Sequence, residues 1–139
     1  MAPEKGSSDP RPRFWESMSR WPATALVAAV IFCLSELPEP FPPRPPLFPH
    51  ADKAAHVVEY FALGVFLFRS LRHELSGNSG AAAIIALVAG TGFGALDEWH
   101  QRFTDRTADL WDVAADVAGL ALALACAWAA GRWRRKHGR

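Results

Sequence analysis

Four apolar stretches alternate with short polar or proline-rich segments along the 139 residues. Each is close to the roughly 20 residues that a helix needs to cross a bilayer. The first spans about residues 20 to 37 and carries Pro22 in its first turn, where a missing N–H costs little. The second spans about 52 to 71, with Asp52 placed as a plausible N-cap and Arg69 and Arg72 near its end. Ser76-Gly77-Asn78-Ser79-Gly80 predicts a turn. The third run extends from about 81 to 96, with an extension toward Gln101. It contains Gly90-x-x-x-Gly94, a spacing that lets helices approach closely in lipid. The fourth runs from about 110 to 131 and is rich in alanine and leucine. The expected fold is therefore all-α: a four-transmembrane-helix bundle.

The connecting segments set the domain organisation. Residues 1–19 read as a polar N-terminal tail, 20–131 as the membrane domain, and 132–139 as a basic C-terminal tail. Residues 38–49 hold seven of the eleven prolines, which excludes a helix there and predicts an extended connector. The first run follows positive charge, as a signal peptide would, but Pro38-Glu39-Pro40 supplies no small-residue cleavage site. Phe32 before Cys33 likewise argues against a lipid-modified cysteine, and Cys33 and Cys126 read as apolar fillers.

Composition changes the picture in one respect. Mean hydropathy is only +0.03, because charges are segregated into a few places rather than absent. A net charge of +1 gives no basis for nucleic-acid binding. Eleven of the fifteen Lys and Arg residues fall on the side of the two termini, so the positive-inside rule predicts both termini in the cytoplasm of a multi-pass plasma-membrane protein. Ten of the fourteen acidic residues fall on the opposite, outer side. Membrane topology does not require that acidic excess.

Helix periodicity groups those acids further. At about 100° per residue, Asp52, His56, Glu59 and Tyr60 share a broad face of the second run. Asp109, Asp112 and Asp116 form a stripe on the fourth, and Asp97, His100 and Gln101 share a side of the third, with Glu98 at its margin. Ionisable groups within lipid are expected to face the bundle interior or a watered cavity. Individually each has a plain structural explanation: Asp52 and Asp109 as helix caps, His56 as an interhelical hydrogen-bonding residue, Asp97 and Glu98 as solvated residues at a helix end. Three helix ends converging on one side favour a functional site.

The same residues carry a family resemblance. Asp52-Lys53-x-x-His56-x-x-x-Tyr60-Phe61-x-x-Gly64, then Asp97-Glu98-x-x-Gln101-x-Phe103-x-x-Arg106, then Asp112-x-x-x-Asp116-x-x-Gly119 closely resemble the signature blocks of the VanZ-like family. Asp116 stands where asparagine is often found there, and Thr104-Asp105 where a proline commonly precedes the arginine. The resemblance implies a bacterial multi-pass membrane protein related to an accessory protein of glycopeptide-resistance clusters, associated with teicoplanin tolerance.

Two functions follow as expectations. In the first, an outward-facing polar site binds or acts on a cell-envelope component such as a lipid-linked wall precursor, or binds a glycopeptide. His56, Asp97, Glu98 and Asp112 are then the candidate catalytic residues, with His56 the best general acid or base. Asp52, Lys53, Tyr60, Gln101, Arg106 and Asp116 are the candidate binding residues, Lys53 and Arg106 suiting a phosphate or carboxylate. In the second, the same residues form an interhelical network that makes the bundle a scaffold, for instance through pairing of Arg106 with Asp97 or Asp112. Histidine and carboxylates can ligate a divalent metal, but no HExxH-type motif is present, and the sequence calls for no metal or other cofactor. Expected partners are membrane lipids and no nucleic acid. Four spans are few for a secondary transporter, although a homo-oligomer would be large enough to form a pathway.

Overall fold

The computed structural model describes residues 21–37, 49–103 and 109–138. The N-terminal tail, most of the proline-rich connector and Arg106 lie outside the described residues. Within them the chain forms four helices: α1 (Trp21–Ser35), α2 (Ala51–Glu74), α3 (Ser79–Gln101) and α4 (Leu110–His137).

Helices α2, α3 and α4 are each long and apolar enough to cross a membrane. Helix α1 is a shorter apolar helix of 15 residues, rising about 22 Å at 1.5 Å per residue. The apolar runs thus locate all four helices, and the lengths establish three candidate spans. Helix α3 includes the extension to Gln101. Helix α4 does not stop at Gly131 but continues through Arg134, Arg135 and Lys136, basic residues that complement the partial negative charge of a helix C-terminus.

The caps show which polar residues end helices and which do not. Asn78 accepts a hydrogen bond from the Ala81 N–H to start α3, and Asp109 accepts one from the Trp111 N–H to start α4. The turn before α3 places Ser76 and Gly77 at positive φ, 51° and 85°, a region that glycine enters without strain. Asp52 is not the cap of α2. That position belongs to His50, in a left-handed conformation and without a side-chain cap bond, while Asp52 lies in the first turn. The side chain of Asp52 is thereby free to meet Lys53 at 3.0 Å.

Consecutive helices run in opposite directions. At one end the Trp21 indole donates to Glu74 Oε1 at 3.2 Å, and the buried Thr24 and Ser70 hydroxyls meet at 3.1 Å, joining the start of α1 to the end of α2. At the other end Ser35 donates to Asp97 and Lys53 donates to Asp112, so the end of α1 meets the end of α3 and the starts of α2 and α4 converge.

Between the two ends lies a core of Ile31, Tyr60, Leu63 and Leu120, flanked by Val27, Ala28, Leu87 and Phe93. Large apolar side chains such as Leu26, Val58, Ile84, Val88 and Leu122 point outward instead. A surface of this kind is incompatible with water over so many residues and matches hydrocarbon. Glycines set the closest approaches. A Cβ on Gly90 would lie 2.7 Å from the Leu120 side chain, and one on Gly64 would lie 2.9 Å from Ala123 Cβ. At Gly119 a Cβ would collide with the backbone of α2 at the Val57 carbonyl and at the Phe61 nitrogen, 2.9 Å away. The Gly90-x-x-x-Gly94 spacing therefore marks a real contact of α3, while the tightest backbone approach is between α2 and α4.

Candidate functional site

The ionisable residues of the sequence motifs gather at the end of the bundle where α1 and α3 finish and α2 and α4 begin. Helix α2 presents Lys53, His56 and Tyr60 at intervals of three and four residues, one above another on a single face. Helix α4 presents Asp112 and Asp116 opposite them, four residues apart, and α3 contributes Asp97, Glu98 and Gln101 in its last turns.

Lys53 is a hub. Its ammonium donates to Asp112 Oδ1 at 2.5 Å and to Asp109 Oδ2 at 2.9 Å, and pairs with Asp52 Oδ2 at 3.0 Å. It thus stitches α2 to α4 through carboxylates that would otherwise repel. Asp109, just outside α4, is held below the usual carboxylate range by the Trp111 N–H that it accepts from and by the Lys53 ammonium.

One turn further in, His56 Nδ1 lies 2.8 Å from Asp116 Oδ1. The Asp116 side chain is 1% exposed. The ordinary arrangement for such a pair is Nδ1–H donating to the carboxylate, which directs Nε2 to the opposite side of the ring. That Nε2 lies 3.9 Å from Asp112 Oδ1, beyond hydrogen-bond length. Gly94 makes room for this pair, since a Cβ there would sit 2.5 Å from Asp116 Oδ2 and 3.1 Å from the Tyr60 hydroxyl.

The α3 residues are held separately. Asp97 accepts from the Ser35 hydroxyl at 2.7 Å and from the Gln101 amide at 3.1 Å, so both of its oxygens are engaged. Glu98 Oε2 accepts the Asp109 backbone N–H at 3.0 Å, tying the end of α3 to the start of α4. Among the described residues, Glu98 Oε1 and the Tyr60 hydroxyl are buried without a hydrogen-bond partner. Unsatisfied buried polar atoms are uncommon, because leaving one unmade costs about 1–3 kcal/mol.

Beside the cluster a cavity of about 120 Å³ opens between α1, α2 and α3. Its walls differ: α1 contributes the apolar Ile31 and Leu34 with the polar Ser35 at its end, while Asp52, His56, Glu59, Asp97 and Gln101 are polar or charged.

Of the ten candidate residues named in the sequence, nine fall at this end of the bundle, and Arg106 lies outside the described residues. They separate into three arrangements: the Lys53 hub with Asp52 and Asp112, the His56–Asp116 pair beside Tyr60 and Glu98, and the Asp97–Gln101 pair. Glu59 and Ser35 join these residues as lining of the cavity. Ser35 is a small polar residue in the last turn of an otherwise apolar run, and that is the signal that identifies it. His100 Nε2 lies 2.7 Å from Glu36 Oε1, a further tie between the α1 and α3 ends.

This fold and site define an all-helical membrane protein with charged residues collected inside one end of its bundle. The chain belongs to the VanZ/LLP1 family, whose family model matches residues 13–131. No curated protein and no solved structure matches the chain.

Proposed function

We propose that this family member is a multi-pass protein of the bacterial plasma membrane with four spans and cytoplasmic termini. Its polar cavity faces outward, where it binds or acts on a lipid-linked component of the cell envelope. The observation that carries this reading is the mixed cavity, with Ile31 and Leu34 beside Ser35 on α1 and ionisable side chains on α2 and α3. A ligand with a hydrocarbon part and a polar head matches such walls. At about 120 Å³ the cavity is well below the ~300–1,000 Å³ of sites that enclose a small molecule. It therefore receives part of a ligand, with the remainder lying along the exposed apolar flanks of the helices.

In this reading His56 is the acid–base group, oriented by Asp116 as a catalytic histidine is oriented by a carboxylate. Teicoplanin tolerance is the associated phenotype. The scaffold alternative has its own support in Lys53, whose pairing with three carboxylates is a structural tie. A purely structural network is expected to satisfy its members, however, and Glu98 Oε1 and the Tyr60 hydroxyl are left unsatisfied.

The test is expression of His56→Ala and Asp112→Asn variants in a host whose teicoplanin tolerance depends on the gene. Tolerance is expected to fall to that of cells lacking the gene, at unchanged membrane levels of protein. Full tolerance from both variants would refute an essential polar site.

A further inference from the structure

His56, Glu98 and Asp112 come from three different helices, and each offers a ligand atom within 4.8 Å of the others. From this geometry we propose that they form a binding site for one first-row divalent cation of the zinc or manganese type, beside the cavity.

Four observations converge on it. First, two ligands held 2.0–2.2 Å from one ion are themselves roughly 3–4 Å apart. The 3.9 Å between His56 Nε2 and Asp112 Oδ1, an oxygen that Lys53 also holds, is too long for a hydrogen bond and lies at the wide end of that separation. Second, Glu98 is 7% exposed, yet its Oε1 has no hydrogen-bond partner among the described residues. A cation supplies what that oxygen lacks. Third, His56 Nδ1 is engaged by Asp116 at 2.8 Å. A metal-binding histidine almost always donates its second N–H to a carboxylate or carbonyl in this way, which fixes the ring and directs the other nitrogen to the ion. Fourth, three carboxylates crowd this end of the bundle. Glu98, Asp112 and Asp116 are all buried, and the nearby Lys53 ammonium is shared with Asp52 and Asp109. Buried carboxylates are normally paired or bound to metal.

The donor set of one imidazole and two carboxylates suits zinc or manganese. Three protein ligands also leave a coordination position open, as in zinc sites that act on substrates. Sequence motifs do not reveal the set, because each ligand lies on a separate helix and no two of them have ligand spacing within one.

The inference concerns the site of the proposed function but stands on its geometry alone. Its test is binding of Mn²⁺, and separately Zn²⁺, to full-length protein purified in detergent and first stripped with a chelator. One ion per chain is expected, and the Mn²⁺-loaded wild type is expected to show electron-spin-echo modulation from a single imidazole nitrogen. Glu98→Gln is expected to weaken binding at least tenfold. Asp116→Asn, which alters only the group that orients His56, is expected to weaken it by about 10–100-fold. Failure of the wild type to bind either ion, or binding without imidazole modulation, overturns the site whatever the variants do. Unchanged affinity in a folded Glu98→Gln protein does so as well. A wild type without metal whose tolerance phenotype still depends on His56 overturns the metal alone. Metal bound as described, with no envelope phenotype, supports the cation site and removes the proposed substrate.

Discussion

Gly119→Ala is expected to destabilise the protein by about 3 kcal/mol or more, at or above the upper end of overpacking effects. The sign is the informative part. Alanine is favoured over glycine in a helix interior by about 1 kcal/mol, so local propensity alone predicts a gain. Here a single added carbon meets the Val57 carbonyl and the Phe61 nitrogen, backbone atoms that cannot rotate away, so α2 and α4 must separate. Separation would also pull Lys53 from Asp112 and His56 from Asp116, since both pairs bridge the same two helices. Gly92 on α3 is the control: nothing lies within 4 Å of a Cβ built there. Gly92→Ala is therefore expected to be neutral or slightly stabilising. Thermal unfolding of both variants in the same detergent checks the pair, and equal effects would show that the α2–α4 approach is looser than described.

Lys53→Met is expected to cost about 2–3 kcal/mol, less than the roughly 3–5 kcal/mol for breaking a fully buried pair, because the lysine side chain is 25% exposed. The loss comes from leaving Asp112 buried beside Asp109 and Asp52 without the ammonium that joins all three. Adding Asp112→Asn to Lys53→Met is expected to recover part of the stability, because it removes the stranded charge. The double-mutant cycle then gives a coupling energy in the 0.5–3 kcal/mol range of interacting neighbours. Strict additivity would show that the contact contributes nothing.

The bundle was largely legible in the sequence because lipid imposes a simple rule: apolar runs of helical length. Helix ends were less legible. Asp52 has the composition of an N-cap, yet the cap is two residues earlier, at His50, and Asp52 turns to Lys53 instead. The basic segment after Gly131 reads as a tail by composition, but its charges suit a helix C-terminus and α4 runs through it.

The site was legible as a location and less so as a set of partnerships. Periodicity within one helix placed His56 with Tyr60 and Asp112 with Asp116. Which stripe meets which depends on the rotation of each helix about its axis, set by contacts such as Gly119 against Val57 and Gly94 against Tyr60. No single-helix pattern contains that rotation. Residue type makes Lys53 a candidate for a phosphate or carboxylate, and only the fold brings the carboxylates of Asp52, Asp109 and Asp112 to its ammonium. The departure at Asp116 acquires a physical meaning: a carboxylate there faces the imidazole of His56 at 2.8 Å, where an asparagine would be uncharged.

The central claim, that the polar end of the bundle binds an envelope component, is tested most directly by measuring binding of a lipid-linked wall precursor to purified wild-type and His56→Gln protein in matched detergent. The account predicts saturable binding to the wild type and affinity lower by about tenfold or more in the folded variant, equivalent to roughly 1.4 kcal/mol. Equal affinity in the two proteins, or no saturable binding by the wild type, would contradict it.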